Sequence, residues 1–317
     1  MSNQPVVHDS VSGARRVSGG TPARLLTLAV FALLLSTCFF SAFKSLMSFA
    51  LHDELHSHVL LVPFIALYVL YIIRDQLPKA YCSSFAWALL ALTAGTTLLV
   101  VAWKWPASWL TASILSFVCF LGAGAFVFVG KRWMKAAAFP FAFLLFMTPL
   151  PGAVVQWLEN ASKMASADCA SFFLHLTGTP VLRDGTIFQL PGIVIEVAQE
   201  CSGIRSSWVL LIASILASYL FLRRPSNRMI LVLAAIPLGV LRNGFRITVI
   251  GLLCVQFGPQ MIHSAIHRRG GPVFFVLSLI PLIAILRLLK RNEDRFRARM
   301  KTQPPRAGNE QGILTNS

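Results

Sequence analysis

Charge is scarce in this sequence. Only 13% of its 317 residues are Asp, Glu, Lys or Arg, against about 25% in an average soluble domain. Acids are scarcer still, 12 against 28 Lys and Arg. A chain that is 56% hydrophobic, with a mean hydropathy of +0.69, is neither an ordinary soluble enzyme nor a disordered segment. The six cysteines (Cys38, Cys82, Cys119, Cys169, Cys201, Cys254) form no Cys-x-x-Cys pair and have no metal-ligand spacing. That excludes a disulfide-stapled module, and no metal site or cofactor is expected. The net charge of +16 would suit a nucleic-acid binder, but the basic residues sit in short clusters between apolar runs. That is the pattern of a membrane protein, and no nucleic-acid partner is expected.

What the sequence does have is long uncharged runs, at 25–43, 59–73, 80–103, 105–130, 136–158, 206–222 and 270–286. An eighth, from Met229 to about Phe257, is interrupted only by Arg242 and Arg246. A bilayer-crossing helix needs about 20 apolar residues, so the runs predict an all-α polytopic membrane protein with about eight transmembrane helices. The first run is too long for a signal-peptide core and no small-residue cleavage site follows it, so it is read as an uncleaved span.

Placing both termini in the cytoplasm puts 19 of the 28 basic residues inside and seven of the twelve acids outside. Residues 1–24 then form a disordered cytoplasmic N-terminus, 25–290 the transmembrane domain and 291–317 a basic cytoplasmic tail. The largest outside segment is about 159–204; an interfacial helix over 156–176 and a small hairpin about Arg183-Asp184-Gly185 are expected in this region.

Polar groups at membrane depth are costly and therefore informative. A helix entering at Arg228 reaches Arg246 after roughly 27 Å, in the outer half of the bilayer. The i,i+4 spacing of Arg242 and Arg246 puts them on one face, next to Asn243. Apolar sequence continues past Arg246, which favours a face turned to the bundle over one reaching for headgroups. Cys201, in Glu200-Cys-Ser-Gly-Ile-Arg205, lies at the outer interface just before the run at 206–222. A thiol there near cations is a thiolate nucleophile, with Ser202 and Gly203 opening a helix. His267 and His263 lie in the outside loop before the last span, and His56 and His58 lie on the first outside loop. Thiol, imidazole and guanidinium thus meet at one membrane face, the set that acyl transfer needs.

Several segments carry a family resemblance. They are Ser57-His58 to Pro63, Gly178 to Gly185, Leu190-Pro-Gly192, Val197-Ala-Gln-Glu-Cys-Ser-Gly-Ile-Arg-Ser206, Asn243-Gly-Phe-Arg246 and His267-Arg-Arg-Gly-Gly271. In this order, over roughly 50–290, they resemble the exosortase/archaeosortase family of membrane cysteine transpeptidases. The resemblance implies Cys201 as nucleophile, Arg246 as stabiliser of oxyanion and thiolate, and His267 as general acid/base. Arg242, Asn243, Glu200, Ser202, Gly203, Arg205 and His58 would be supporting or substrate-binding residues. Arg242 and His263 are extra to the family pattern, so roles within the arginine and histidine pairs stay open.

By the same resemblance, the substrates are exported proteins ending in a Pro-Glu-Pro-type motif, a hydrophobic helix and a basic tail. They would pass through a thioester to an acceptor amine on a surface glycan or lipid-linked component, as in exopolysaccharide systems. The implied setting is the bacterial cytoplasmic membrane, with the active site on its extracytoplasmic face. The competing readings are a transporter that uses the arginines as an anion site, and a noncatalytic subunit of an exopolysaccharide export complex. Neither gives Cys201 a role.

Overall fold

The computed structural model describes residues 21–52, 54–78, 82–196, 203–263 and 271–302. Among them are eleven α-helices and three short strands. Six stretches are long and apolar enough to cross a bilayer: His56–Gln76, Phe85–Lys104, Pro106–Phe128, Ile204–Phe221, Pro225–Phe257 and Gly271–Arg299. Two bent helix pairs among the described residues raise the number to eight when each counts as one span. Large apolar side chains such as Leu33, Phe64, Leu89 and Ile280 are more than half exposed, a lining suited to lipid. The chain is an all-α polytopic membrane protein.

The chain divides into two compact units, the first comprising Met1–Asp53 and Ser57–Pro149. It holds α1 (Thr21–Cys38), α2 (Phe40–His52), α3 (Val62–Ile73), α4 (Phe85–Lys104), α5 (Trp109–Phe128), α6 (Lys131–Ala136) and α7 (Ala138–Phe143). Helix α5 is its centre. Small buried residues (Ala112, Ser116, Ala123, Ala125) let neighbours approach, and Ser116 Oγ donates to the Gly95 carbonyl of α4 at 2.8 Å. The run 25–43, expected as one span, turns by 74° between α1 and α2. Phe39 and Phe43, at the bend, both pack edge-on against Phe117 of α5. The first helix also begins at Thr21, inside the segment expected to be disordered.

The run 136–158, likewise expected as one span, is broken. Its helical part ends at Met147, Thr148 is extended, and the next helix starts at Gly152. Pro149 and Pro151 explain this: each lacks an amide donor and forces the residue before it out of the helical region.

The second unit is Glu54–His56 with Leu150–Ser317. It contains α8 (Gly152–Leu176), β1 (Leu182–Asp184), β2 (Ile187–Leu190), β3 (Ile193–Glu196), α9 (Ile204–Phe221), α10 (Pro225–Phe257) and α11 (Gly271–Thr302). Helix α8 covers the expected interfacial helix and starts four residues earlier. The expected hairpin is present as β1–β2, turning at Gly185, and Pro191-Gly192 makes a second turn that adds an unforeseen third strand. The antiparallel order is β1-β2-β3, with Arg183 opposite Phe188 and Phe188 opposite Ile195.

One face of this sheet is apolar and lies on the helices. Phe188 and Leu190 are buried with Ala167, Ala170 and Leu174 of α8 and Ile247 of α10, and Ile193, Ile195, Leu252 and Val255 pack around them. Nearer the start of α10, Leu231 and Ala235 form a second cluster with Leu210 of α9, Leu222 and Leu282 of α11. The residues leading into α10 are tied to α11. Glu293 accepts the Arg223 and Arg224 amides, both at 3.0 Å, and Asn227 Nδ2 at 2.9 Å.

Candidate active site

Gly203 begins the site. It stands immediately before α9 with φ 67° and ψ 3°, a left-handed conformation that suits residues without a Cβ. A Cβ at this position would lie 2.5 Å from Asn243 Cγ and Oδ1, so the α9 entry and α10 are in direct backbone-to-side-chain contact. Asn243 is 1% exposed.

The Gly203 carbonyl is the focus of the hydrogen bonding. It accepts the Ser207 amide at 3.0 Å, Ser206 Oγ at 3.3 Å and Arg242 Nη2 at 2.9 Å. Arg242 Nη2 also donates to Ser207 Oγ at 3.2 Å. Arg242 is 8% exposed, and its second arm, Nη1, is buried and makes no hydrogen bond, so the guanidinium keeps donor capacity. Its face is turned to α9 within the bundle. Ser207 was not singled out in the sequence; its only signal is its place one helical turn after Gly203.

Arg246 follows one turn later on α10 and is half-buried. Beyond it, Ile247, Leu252 and Val255 share one apolar cluster with Ile193 and Ile195 of β3. The chain is therefore anchored to α10 on both sides of residues 197–202: through the sheet at the level of 247–255, and through Gly203 at Arg242. Glu200, Cys201 and Ser202 fall in that interval, outside the described residues, as does His267.

Arg205 is exposed on the first turn of α9. His58 is half-buried and belongs to the first unit. His56 is 3% exposed and accepts the Leu150 amide at Nε2, 3.4 Å away. Among the described residues, no three His, Cys, Asp or Glu side chains cluster closely enough for a metal ion.

The transmembrane exosortase family matches residues 48–284, which is 237 of the 317 residues. The chain belongs to the transmembrane exosortase family. No curated protein and no solved structure matches it. As a transmembrane exosortase it is a multi-pass membrane protein of the sorting transpeptidase kind, whose substrates are proteins with a sorting signal. The matched stretch contains all of the exosortase's α8–α10 core, including Gly203, Ser207, Arg242, Asn243 and Arg246.

Proposed function

We propose that this exosortase is a cysteine peptidase and transpeptidase with Cys201 as its nucleophile. The observation that carries the reading is the bond from Arg242 to Gly203, two residues beyond Cys201, on the same helix that presents Arg246. Arg242 is a positioning residue: it holds the start of α9 and with it the end of the segment that bears the thiol. Arg246 supplies the charge that stabilises thiolate and oxyanion, and His267 moves the proton.

The Cys201 thiolate attacks the scissile carbonyl carbon, and the oxyanion forms beside Arg246. The C–N bond then breaks, the electron pair stays on the leaving nitrogen, and protonated His267 gives that nitrogen its proton. A thioester remains on Cys201. An acceptor amine attacks it, loses a proton to His267, and expels the thiolate as the new amide forms. The chemistry needs no metal or cofactor.

The substrates are exported proteins ending in a Pro-Glu-Pro-type motif, a hydrophobic helix and a basic tail. The acceptor is an amine on a surface glycan or lipid-linked component. The enzyme sits in the bacterial cytoplasmic membrane with both termini inside, and the site faces outward.

The test is co-expression with a tagged substrate of that design. Wild type converts it to a shorter or conjugated product, and Cys201→Ala, at equal membrane level, leaves it intact. Processing that persists in Cys201→Ala overturns the mechanism.

A further inference from the structure

Among the described residues one edge of the sheet is unpaired, and it belongs to the strand that precedes the proposed nucleophile in sequence. Strand β2 is flanked by β1 and β3, so β3 pairs on one side only among the described residues. Pro191 and Gly192 form a two-residue turn, which makes Leu190 and Ile193 the closing pair of the hairpin. In such a hairpin the closing residues exchange both backbone bonds, and alternation follows from there. Ile193 and Ile195 turn their N–H and C=O groups to β2, while Val194 and Glu196 turn theirs outward. No hydrogen bond from the described chain reaches those outward groups.

Nothing in the strand protects this edge. Natural edges are blunted by Pro, Lys, bulges or inward charges, and Ile-Val-Ile-Glu has none of these before its last residue. Its three β-branched residues favour pairing. The underside is fixed, since Ile193 and Ile195 pack into the cluster about Phe188, and Val194 on the other face is 64% exposed. Among the described residues the strand is backed on one face and unpaired at its edge, and four residues lie between Glu196 and Cys201.

We infer that the edge of β3 receives the substrate segment to be cleaved as an added, extended fourth strand. The inference rests on Cys201 being the nucleophile. A peptide bond must leave helical structure to be attacked, and an extended strand presents its backbone bonds at a fixed register. Affinity then comes from the outward N–H and C=O of Val194 and Glu196. Selectivity comes from the Val194 side chain, which offers an apolar contact. The ligand is a peptide segment of the substrate protein, recognised through its main chain.

The experiment uses the full-length enzyme in proteoliposomes and a tagged substrate carrying the motif, hydrophobic helix and basic tail. Val194→Pro removes one outward amide, a change that edge strands tolerate when the N–H faces away from the sheet. It should slow processing about tenfold, the loss of roughly one hydrogen bond, while Val194→Ala stays within about twofold. A second arm leaves the enzyme untouched: substrates assembled by peptide ligation carry one N-methyl group at each non-proline residue in and around the motif, whose prolines already lack an N–H. Processing should fail where the N–H faces β3, at alternate chain positions, and survive at the non-proline positions between. Uniform tolerance of N-methylation, or normal rates for Val194→Pro, overturns the strand-addition inference. Processing by Cys201→Ala instead overturns the catalytic reading, so the two failures are distinct.

Discussion

Arg242 reaches across 39 residues of sequence to donate, through Nη2, to the carbonyl of Gly203 at 2.9 Å. A buried cation on one helix thereby holds the entry of another. Removing it leaves the Gly203 carbonyl and Ser207 hydroxyl short of a donor, a loss of about 1.5–3 kcal/mol for a charged hydrogen bond. Arg242→Gln should lower the melting temperature in detergent and cut kcat, with KM for the substrate little changed. Arg242→Lys, which restores a charge but not the planar fork, should recover part of both. A Lys variant no better than Gln would show that the guanidinium does not act through Gly203.

Arg246 should behave differently. If it stabilises the Cys201 thiolate, Arg246→Gln moves the pH midpoint of Cys201 alkylation upward and slows alkylation near neutral pH. Arg242→Gln should leave that midpoint in place, since its partners are Gly203 and Ser207. Iodoacetamide labelling across a pH series separates the two arginines, and equal midpoint shifts would contradict the division of roles.

Gly203 and Asn243 should be coupled. Gly203→Ala meets a left-handed backbone cost of roughly 1–2 kcal/mol and a clash with the buried Asn243 side chain. Asn243→Ala opens that space. In a double-mutant cycle read by thermal unfolding, the pair should be less harmful than the sum by about 1 kcal/mol. Strict additivity would mean that the two elements do not pack as described.

Glu293 gives a prediction remote from chemistry. Glu293→Ala leaves the Arg223 and Arg224 amides and Asn227 Nδ2 without their acceptor and should cost about 1 kcal/mol, on the order of one hydrogen bond. Limited trypsin digestion should then cut faster after Arg223, while Arg224 stays protected by Pro225. An unchanged digestion rate would mean that Glu293 does not hold this segment.

The sequence made the membrane class and the Arg-bearing helix legible because both are written in local terms: uncharged runs, and charges that interrupt one. Counting charge could not see the break at Pro149 and Pro151, which lies inside an uncharged run. The bend at Phe39 has no local marker, since packing on Phe117 of α5 accompanies it. Pro191-Gly192 was noticed as part of a resemblance, and its turn geometry became plain only with strands on both sides. Arg242 was legible as a buried cation, but its partner was not, because the contact with Gly203 is nonlocal. Helix α11 runs on to Thr302, into the stretch 291–317 read from charge as a basic tail. Cys201 and His267 rest on motif resemblance alone, and both lie outside the described residues.

Helix α10 also sets a length. From Arg228, whose guanidinium donates to the Leu222 carbonyl, to Arg246 is roughly 27 Å along the axis. That is near the hydrocarbon thickness of a typical bilayer, about 30 Å. The position of Arg246 relative to the lipid headgroups is therefore a matter of hydrophobic mismatch. A thicker bilayer draws the guanidinium into hydrocarbon, and a thinner one lifts it into the headgroup layer. Transpeptidation in vesicles of graded acyl-chain length should accordingly pass through an optimum, making the lipid itself a determinant of rate.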